Sequence, residues 1–261
     1  MSDEVSPSRR SVRRDDSPQE VKSFGEHLED LRWVLIKCII AVVIATGGCF
    51  YFAKDVVGIL QRPFLRVAAG SAESQEALLR ALRPAETFVV GVKAALLVGV
   101  LIASPFVFYQ LWLFVSPGLT RSERRASLPI FGMGVVFFFV GVVFAYFTVL
   151  PICLKFFWNY TQYLGVRPEW TIGDYLSFVV LMLLSFGLAF EMPVAAALLA
   201  KLGLVSSGWL ARQRKYAIFG IFVVAAILTP PDVISQLLLA GPMVGLYEIS
   251  ILTVRAIEPK G

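Results

Sequence analysis

The chain predicts an all-α integral membrane protein with six transmembrane helices, and three observations carry that expectation. Of 261 residues, 57% are hydrophobic and only 16% are charged, and the mean hydropathy is +0.73, well above what an ordinary soluble domain shows. Six apolar stretches, about 33–53, 87–115, 128–150, 173–200, 215–229 and 234–253, reach or approach the roughly 20 residues that a helix needs to cross a hydrocarbon core about 30 Å thick. Runs such as Val135 to Phe147 lack the period-two alternation that a lipid-embedded barrel requires.

Taken in order, residues 1–22 are rich in Ser, Pro, Arg and Asp with almost nothing apolar, so they cannot offset the entropy of ordering and are expected to form a disordered basic tail. The pairs Arg9-Arg10 and Arg13-Arg14 stand too far from the first apolar run, and no small-residue cleavage site follows that run, so they do not make an export signal. Residues 23–253 are expected to form one membrane domain and 254–261 a short tail.

Just before the first span, FGEHLEDLR (Phe24 to Arg32) reads as an amphipathic helix with Phe24, Leu28 and Leu31 on its apolar stripe and Glu26, Glu29, Asp30 and Arg32 beside it. Acids at a helix start complement the macrodipole. The same carboxylates, placed at a membrane surface, can also receive a guanidinium in a bidentate pair. Lys93, near the outer end of the second run, is expected to snorkel to the interface. That run stops at Ser116-Pro117-Gly118, and a short loop then carries Glu123 among Arg121, Arg124 and Arg125; exposed charge mixtures of this kind contribute little to stability.

The fourth run contains Phe190-Glu191-Met192-Pro193. An ionised acid at membrane depth is costly and normally faces a cavity or a partner, and Pro193 frees a carbonyl one turn earlier, so a kink beside the acid is expected. LTPPDVISQ, Leu228 to Gln236, separates the last two spans by a few residues, and its paired prolines force a tight turn. The fifth run is then only roughly 22 Å long, so local thinning of the bilayer is expected. Thr229, Ser235 and Gln236 place hydroxyls and an amide where they bond a neighbouring transmembrane helix or cap these two.

With six crossings both termini share a face. That face holds 16 Lys and Arg in its connecting segments, against 7 on the other, so both termini are expected to be cytoplasmic. The net charge of +5 reflects this bias, and no aromatic-basic platform for nucleic acid accompanies it.

Catalytic and cofactor chemistry find little support. Cys38, Cys49 and Cys153 are scattered without metal or disulfide spacing, and His27 is the one histidine. No Gly-x4-Gly-Lys-Ser/Thr loop, His-Glu-x-x-His pair or Gly-x-Ser-x-Gly elbow occurs. No cofactor or metal and no enzymatic activity are therefore expected. A small proton-coupled secondary transporter using Glu191 is an alternative class, although LTPPDVISQ has no counterpart in the first three spans, as an internal repeat would require.

HLEDLR, SPFVFYQLWLFVSPGL followed by SERR, FAYF at Phe144 to Phe147, YLSFV at Tyr175 to Val179, FEMPV, and LTPPDVISQ followed by PMVGLYE together resemble the TatC family, the multispanning receptor subunit of the twin-arginine protein translocase. The resemblance runs in order over about residues 24–253, leaving only the basic tail and the segment from Leu65 to Arg83 without recognisable motif. It implies a concave, glove-like bundle in the bacterial cytoplasmic (inner) membrane that exports folded proteins using the protonmotive force. It also implies as partners twin-arginine precursors, further TatC copies, and TatA and TatB or one dual-function TatA.

By that resemblance Asp30, with Glu29 and Arg32 in the same motif, and Glu123 bind the signal peptide. Where the family commonly has Glu, this chain has Asp30 preceded by Glu29, so which carboxylate makes the closer contact stays open. Glu191, Thr229 and Gln236 correspond to intramembrane polar positions that contact the single-span partners, and Pro63 and Asp232 correspond to outer-loop positions.

Overall fold

The computed structural model describes residues 24–69, 79–116, 121–228 and 233–258; the tail predicted at 1–22 lies outside them. Among the described residues the elements are α1 (Phe24–Phe50), α2 (Ala53–Ala69), α3 (Glu86–Val115), α4 (Arg121–Phe144), a π-helical turn (Ala145–Val149), α5 (Leu150–Tyr163), α6 (Ile172–Ala189), α7 (Glu191–Lys201), α8 (Ser207–Leu228) and α9 (Val233–Ile257). Six crossings result: α1, α3, α4 continued by α5, α6 continued by α7, α8, and α9. With six crossings both ends of the described chain lie on one face, the one on which the Lys and Arg bias falls.

Five crossings contain stretches long and apolar enough to span a bilayer: Leu28–Phe50, Glu86–Val115, Leu128–Tyr163, Ile172–Lys201 and Gln236–Ile257. The sixth, α8, carries Arg212, Arg214 and Lys215 in its first half. Its apolar remainder from Tyr216 is only roughly 20 Å long, in keeping with the short fifth span expected above.

Packing radiates from α3, which touches α1, α2, α4 and α6, while α7 and α8 both pack on α9. The interior is closed by Leu150, Leu154, Leu176, Val179 and Phe186, all essentially inaccessible. On α1, by contrast, Ile39, Val43 and Ile44 are exposed, the disposition of side chains that meet lipid tails rather than other helices. Small residues set the closest approaches, as membrane helices require. A Cβ on Gly99 would fall against the Thr46 backbone of α1, and one on Gly141 would lie 2.5 Å from the Phe186 carbonyl oxygen.

Each interior proline has a local answer. Pro105 cannot donate to the Leu101 carbonyl, and the Ser104 hydroxyl donates to it instead at 2.8 Å. Pro151 cannot donate to Phe147, and the helix widens there into the π turn, with the Leu150 amide reaching back to Ala145. Pro193 ends α6: the chain turns at Phe190 and α7 restarts at Glu191, which is the kink expected from the sequence.

Pro63, an outer-loop position by the family resemblance, lies inside α2 and is buried. The outer connection between the first two spans is thus substantially helical, because residues 53–69 present an apolar face, Leu60, Phe64 and Ala68, that α3 and α5 cover. Without a Pro63 N–H the Ile59 carbonyl loses its helical donor. The Tyr146 hydroxyl donates to it at 2.7 Å, and the Tyr175 hydroxyl donates to the next carbonyl, Leu60, at 2.6 Å. Beneath this clasp Phe64 packs on Trp158, Trp170 and Tyr175 at ring-centroid distances of 6.0, 5.3 and 5.6 Å.

Outer segments are tied to one another as well. The Arg80 amide donates to the Trp170 carbonyl and the Ile172 amide to the Arg80 carbonyl. Glu86, in the first turn of α3, accepts from the Leu82, Arg83 and Gly173 amides at 2.7, 3.2 and 2.8 Å. A side chain at Gly173 would collide with that carboxylate.

Candidate functional site

Two groups of residues bear on function, one at the cytoplasmic rim and one inside the fourth crossing. At the rim, α1 begins at Phe24, and its second and third turns carry exposed Glu29, half-buried Asp30 and exposed Arg32. The acids of this motif sit near a helix N-terminus, where the macrodipole favours negative charge. Glu123 is not in a loop: it is the third residue of α4, whose start follows the turn after α3, and its side chain lies outside the described residues. Since α1 and α4 cross in the same direction, with α3 returning between them, their starts share one face.

Within the membrane, Glu191 opens α7 directly after the break at Phe190. It lines a cavity of about 350 Å³ between α3, α4 and α7, whose other walls include Val100, Phe108, Phe138, Val194 and Leu198. Its Oε1 is buried and has no hydrogen-bond partner among the described residues. A carboxyl oxygen left this way in apolar surroundings costs free energy until a donor arrives. Gly134 makes the approach possible, since a Cβ there would stand 3.1 Å from Glu191 Oε2.

Gln236, in the first turn of α9, donates through Nε2 to the Phe222 carbonyl of α8 at 3.0 Å. Of the two roles open to it, this one binds the last two crossings together. Thr229 and Asp232 lie outside the described residues. Lys93 is half-buried, and its Nζ donates to the Ser177 hydroxyl at 2.6 Å, which in turn donates to the Gly173 carbonyl at 2.5 Å. The lysine therefore ties α3 to α6.

Sequence reasoning missed two further polar ties near the cytoplasmic face. Glu258, just past α9, accepts from the Ser207 amide at 2.6 Å and the Ser207 hydroxyl at 2.5 Å, supplying acceptors to the otherwise unpaired start of α8. These bonds, the hydroxyl's first, hold its carboxyl below the usual range. Arg214 and Glu248 pair at 2.7 Å between α8 and α9. Nothing in sequence spacing marks either pair, because the partners are brought together only by the hairpin of α8 and α9.

Residues 26–242 match the family model described as Sec-independent protein translocase protein (TatC). Relatives called Sec-independent protein translocase protein TatC include one from Aquifex aeolicus, 43% identical over 87% of this chain and 92% of its own length. Another, from Carboxydothermus hydrogenoformans, is 39% identical over 90% of this chain and 93% of its own; that of Escherichia coli K12 is 36% identical over 94% and 93%. A crystal structure described as twin arginine translocase receptor TatC superposes with a TM-score of 0.79 and 42% identity, covering 88% of this chain and 99% of that one. With the family model matched over residues 26–242 and these relatives matched over most of their length, the chain belongs to the TatC family of Sec-independent protein translocase proteins.

Proposed function

We propose that this chain is the receptor subunit of a twin-arginine translocase in a bacterial cytoplasmic membrane. It binds twin-arginine signal peptides and, with TatA- and TatB-type single-span partners, exports folded proteins at the expense of the protonmotive force. The observation that carries the reading is the pair of carboxylates near helix starts on one membrane face, Asp30 on α1 and Glu123 on α4, in a chain that matches the family over residues 26–242. Paired arginines keep their charge at any cytoplasmic pH, and two carboxylates offer two guanidiniums one fork of hydrogen bonds each. Arg121, Arg124 and Arg125 surround Glu123 with positive charge and weaken it as a lone site, so Asp30, with Glu29 and Arg32 beside it, is required as the second anchor. The apolar part of the signal gains roughly 25 cal/mol per Å² where it leaves water for the concave wall. The same match favours export over small-solute transport through Glu191.

The test replaces Asp30 and Glu123 by Ala, singly and together, and measures crosslinking of a twin-arginine precursor in membranes. Each single variant is expected to lose part of the crosslink and the double variant nearly all of it; an undiminished crosslink in the double variant rejects the assignment. For Glu191, partner contact through the cavity predicts that Glu191→Gln co-purifies with the single-span partners better than Glu191→Ala does. An amide can still pair with a donor from the partner, whereas Ala leaves that donor unpaired in lipid. Equal co-purification of both variants would mark the residue as passive.

A further inference from the structure

Beside the Phe64 cluster lies a second cavity, about 380 Å³, between α5, the segment 169–171 and the start of α6. Its walls include the rings of Phe157, Trp170, Tyr175 and Phe178 and the side chains of Glu169 and Asp174. Neither the receptor chemistry at the cytoplasmic rim nor the Glu191 cavity uses it, since it stands at the opposite, outer face.

Three features define what fits. The ring faces present negative quadrupole potential, which attracts an ammonium placed within about 6 Å of a centroid. Asp174 spends one oxygen, Oδ2, on the Thr171 hydroxyl at 2.8 Å and is otherwise exposed, so it retains acceptor capacity for N–H donors. Glu169 is paired with Arg80 at 3.3 Å, both side chains being more than half exposed, which stations a guanidinium at the rim of a cavity lined by carboxylates. The pattern is a ring-lined wall with exposed carboxylates at the mouth and a guanidinium beside them, complementary to a group that carries an ammonium and a phosphate a few ångströms apart.

Depth points to the same ligand. Apolar Leu154, Phe157 and Phe178 form part of the wall, while Asp174 and Glu169 lie beyond the start of the apolar part of α6. Aromatic side chains concentrate at this interfacial level of a bilayer.

We propose that this cavity binds the zwitterionic headgroup of an amine-bearing phospholipid of the outer leaflet. The ammonium lies over Trp170 and against Asp174, and the phosphate lies on Arg80. A primary ammonium satisfies both Asp174, through charge-assisted N–H donation, and the rings; a choline headgroup satisfies only the rings, and a glycerol headgroup offers Asp174 neutral hydroxyl donors and the rings no cation.

The experiment uses the full chain purified in detergent and exchanged against short-chain phosphatidylethanolamine, phosphatidylcholine and phosphatidylglycerol with matched acyl chains. Retained lipid is counted by native mass spectrometry. Phosphatidylethanolamine is expected to be retained about tenfold over phosphatidylglycerol, with phosphatidylcholine between them, a ratio equivalent to about 1.4 kcal/mol. Glycerophosphoethanolamine, which has no acyl chains, is expected to displace it. Asp174→Asn and the double variant Glu169→Gln, Asp174→Asn should abolish the preference of ethanolamine over choline while leaving the thermal transition of the helical circular dichroism in place. Equal retention of the three lipids by the unaltered chain overturns the proposal without recourse to any variant. So does a folded Asp174→Asn variant that keeps the full preference, or failure of glycerophosphoethanolamine to compete.

Discussion

Replacement of Phe64 by Ala is expected to lower stability by ~3–5 kcal/mol, the range for removing a buried aromatic ring from a packed cluster. Phe64 is 2% exposed and is the ring around which Trp158, Trp170 and Tyr175 are gathered. The cluster joins α2 to α5, α6 and the segment before α6, so the loss falls on the outer face, where water competes and apolar burial has its usual value. Thermal unfolding in detergent, followed by helical circular dichroism, should show a lowered transition. Limited proteolysis should cut first in the connections flanking α2. Phe64→Leu, which keeps much of the volume, should lose well under half as much. A Phe64→Ala transition unchanged from the unaltered chain would show that α2 is not held by this ring.

The second large effect is expected at Gly141. Val at this position places branched carbons where even a Cβ would stand 2.5 Å from the Phe186 carbonyl oxygen and 2.9 Å from Phe190 Cβ and Cγ. Neither neighbour is a flexible tip that can swing away, so α4 and α6 must separate. Overpacking of this kind costs ~1–3 kcal/mol in a well-packed interior, and the upper end applies because a backbone atom is the obstacle. The separation would open beside the break at Phe190 and shift Glu191, so Gly141→Val should reduce both the thermal transition and precursor export. Gly132→Val, on the same helix but with open space around its Cβ position, is the control and should leave both unchanged. Equal behaviour of the two variants would disprove close packing at Gly141.

Hydropathy places five crossings outright, because a bilayer imposes a length and a composition that few other structures share, and α8 follows as the short sixth. The break at Glu191 was equally legible, since Pro193 removes a donor wherever it sits. Helix ends were less so. The third crossing reads as 128–150, yet α5 carries the helix on to Tyr163, because past that run it packs on α2 and no longer needs an unbroken apolar surface. For the same reason α2 was hidden: Lys54, Asp55, Arg62 and Arg66 interrupt its apolar residues and read as loop charge, although only one face needs to be apolar when one face is covered. At the rim, Asp30 and Glu123 became conspicuous only through their motifs, for an acid beside arginines is ordinary by composition. The ties made by Tyr146, Tyr175 and Glu258 left no mark at all, since a backbone carbonyl or amide far along the chain has no letter of its own.

That last property has a consequence for how the outer face can change over time. Tyr146 and Tyr175 grip α2 by the carbonyl oxygens of Ile59 and Leu60, atoms that every amino acid supplies. Ile59 is exposed and Leu60 is buried, so substitutions at Ile59 alter what α2 shows to its surroundings without untying it, so long as Pro63 keeps the Ile59 carbonyl vacant and Leu60 and Phe64 fill the space below. The outer helix can therefore drift in surface character, and adapt to different neighbours, while its anchorage stays fixed by residues on other helices.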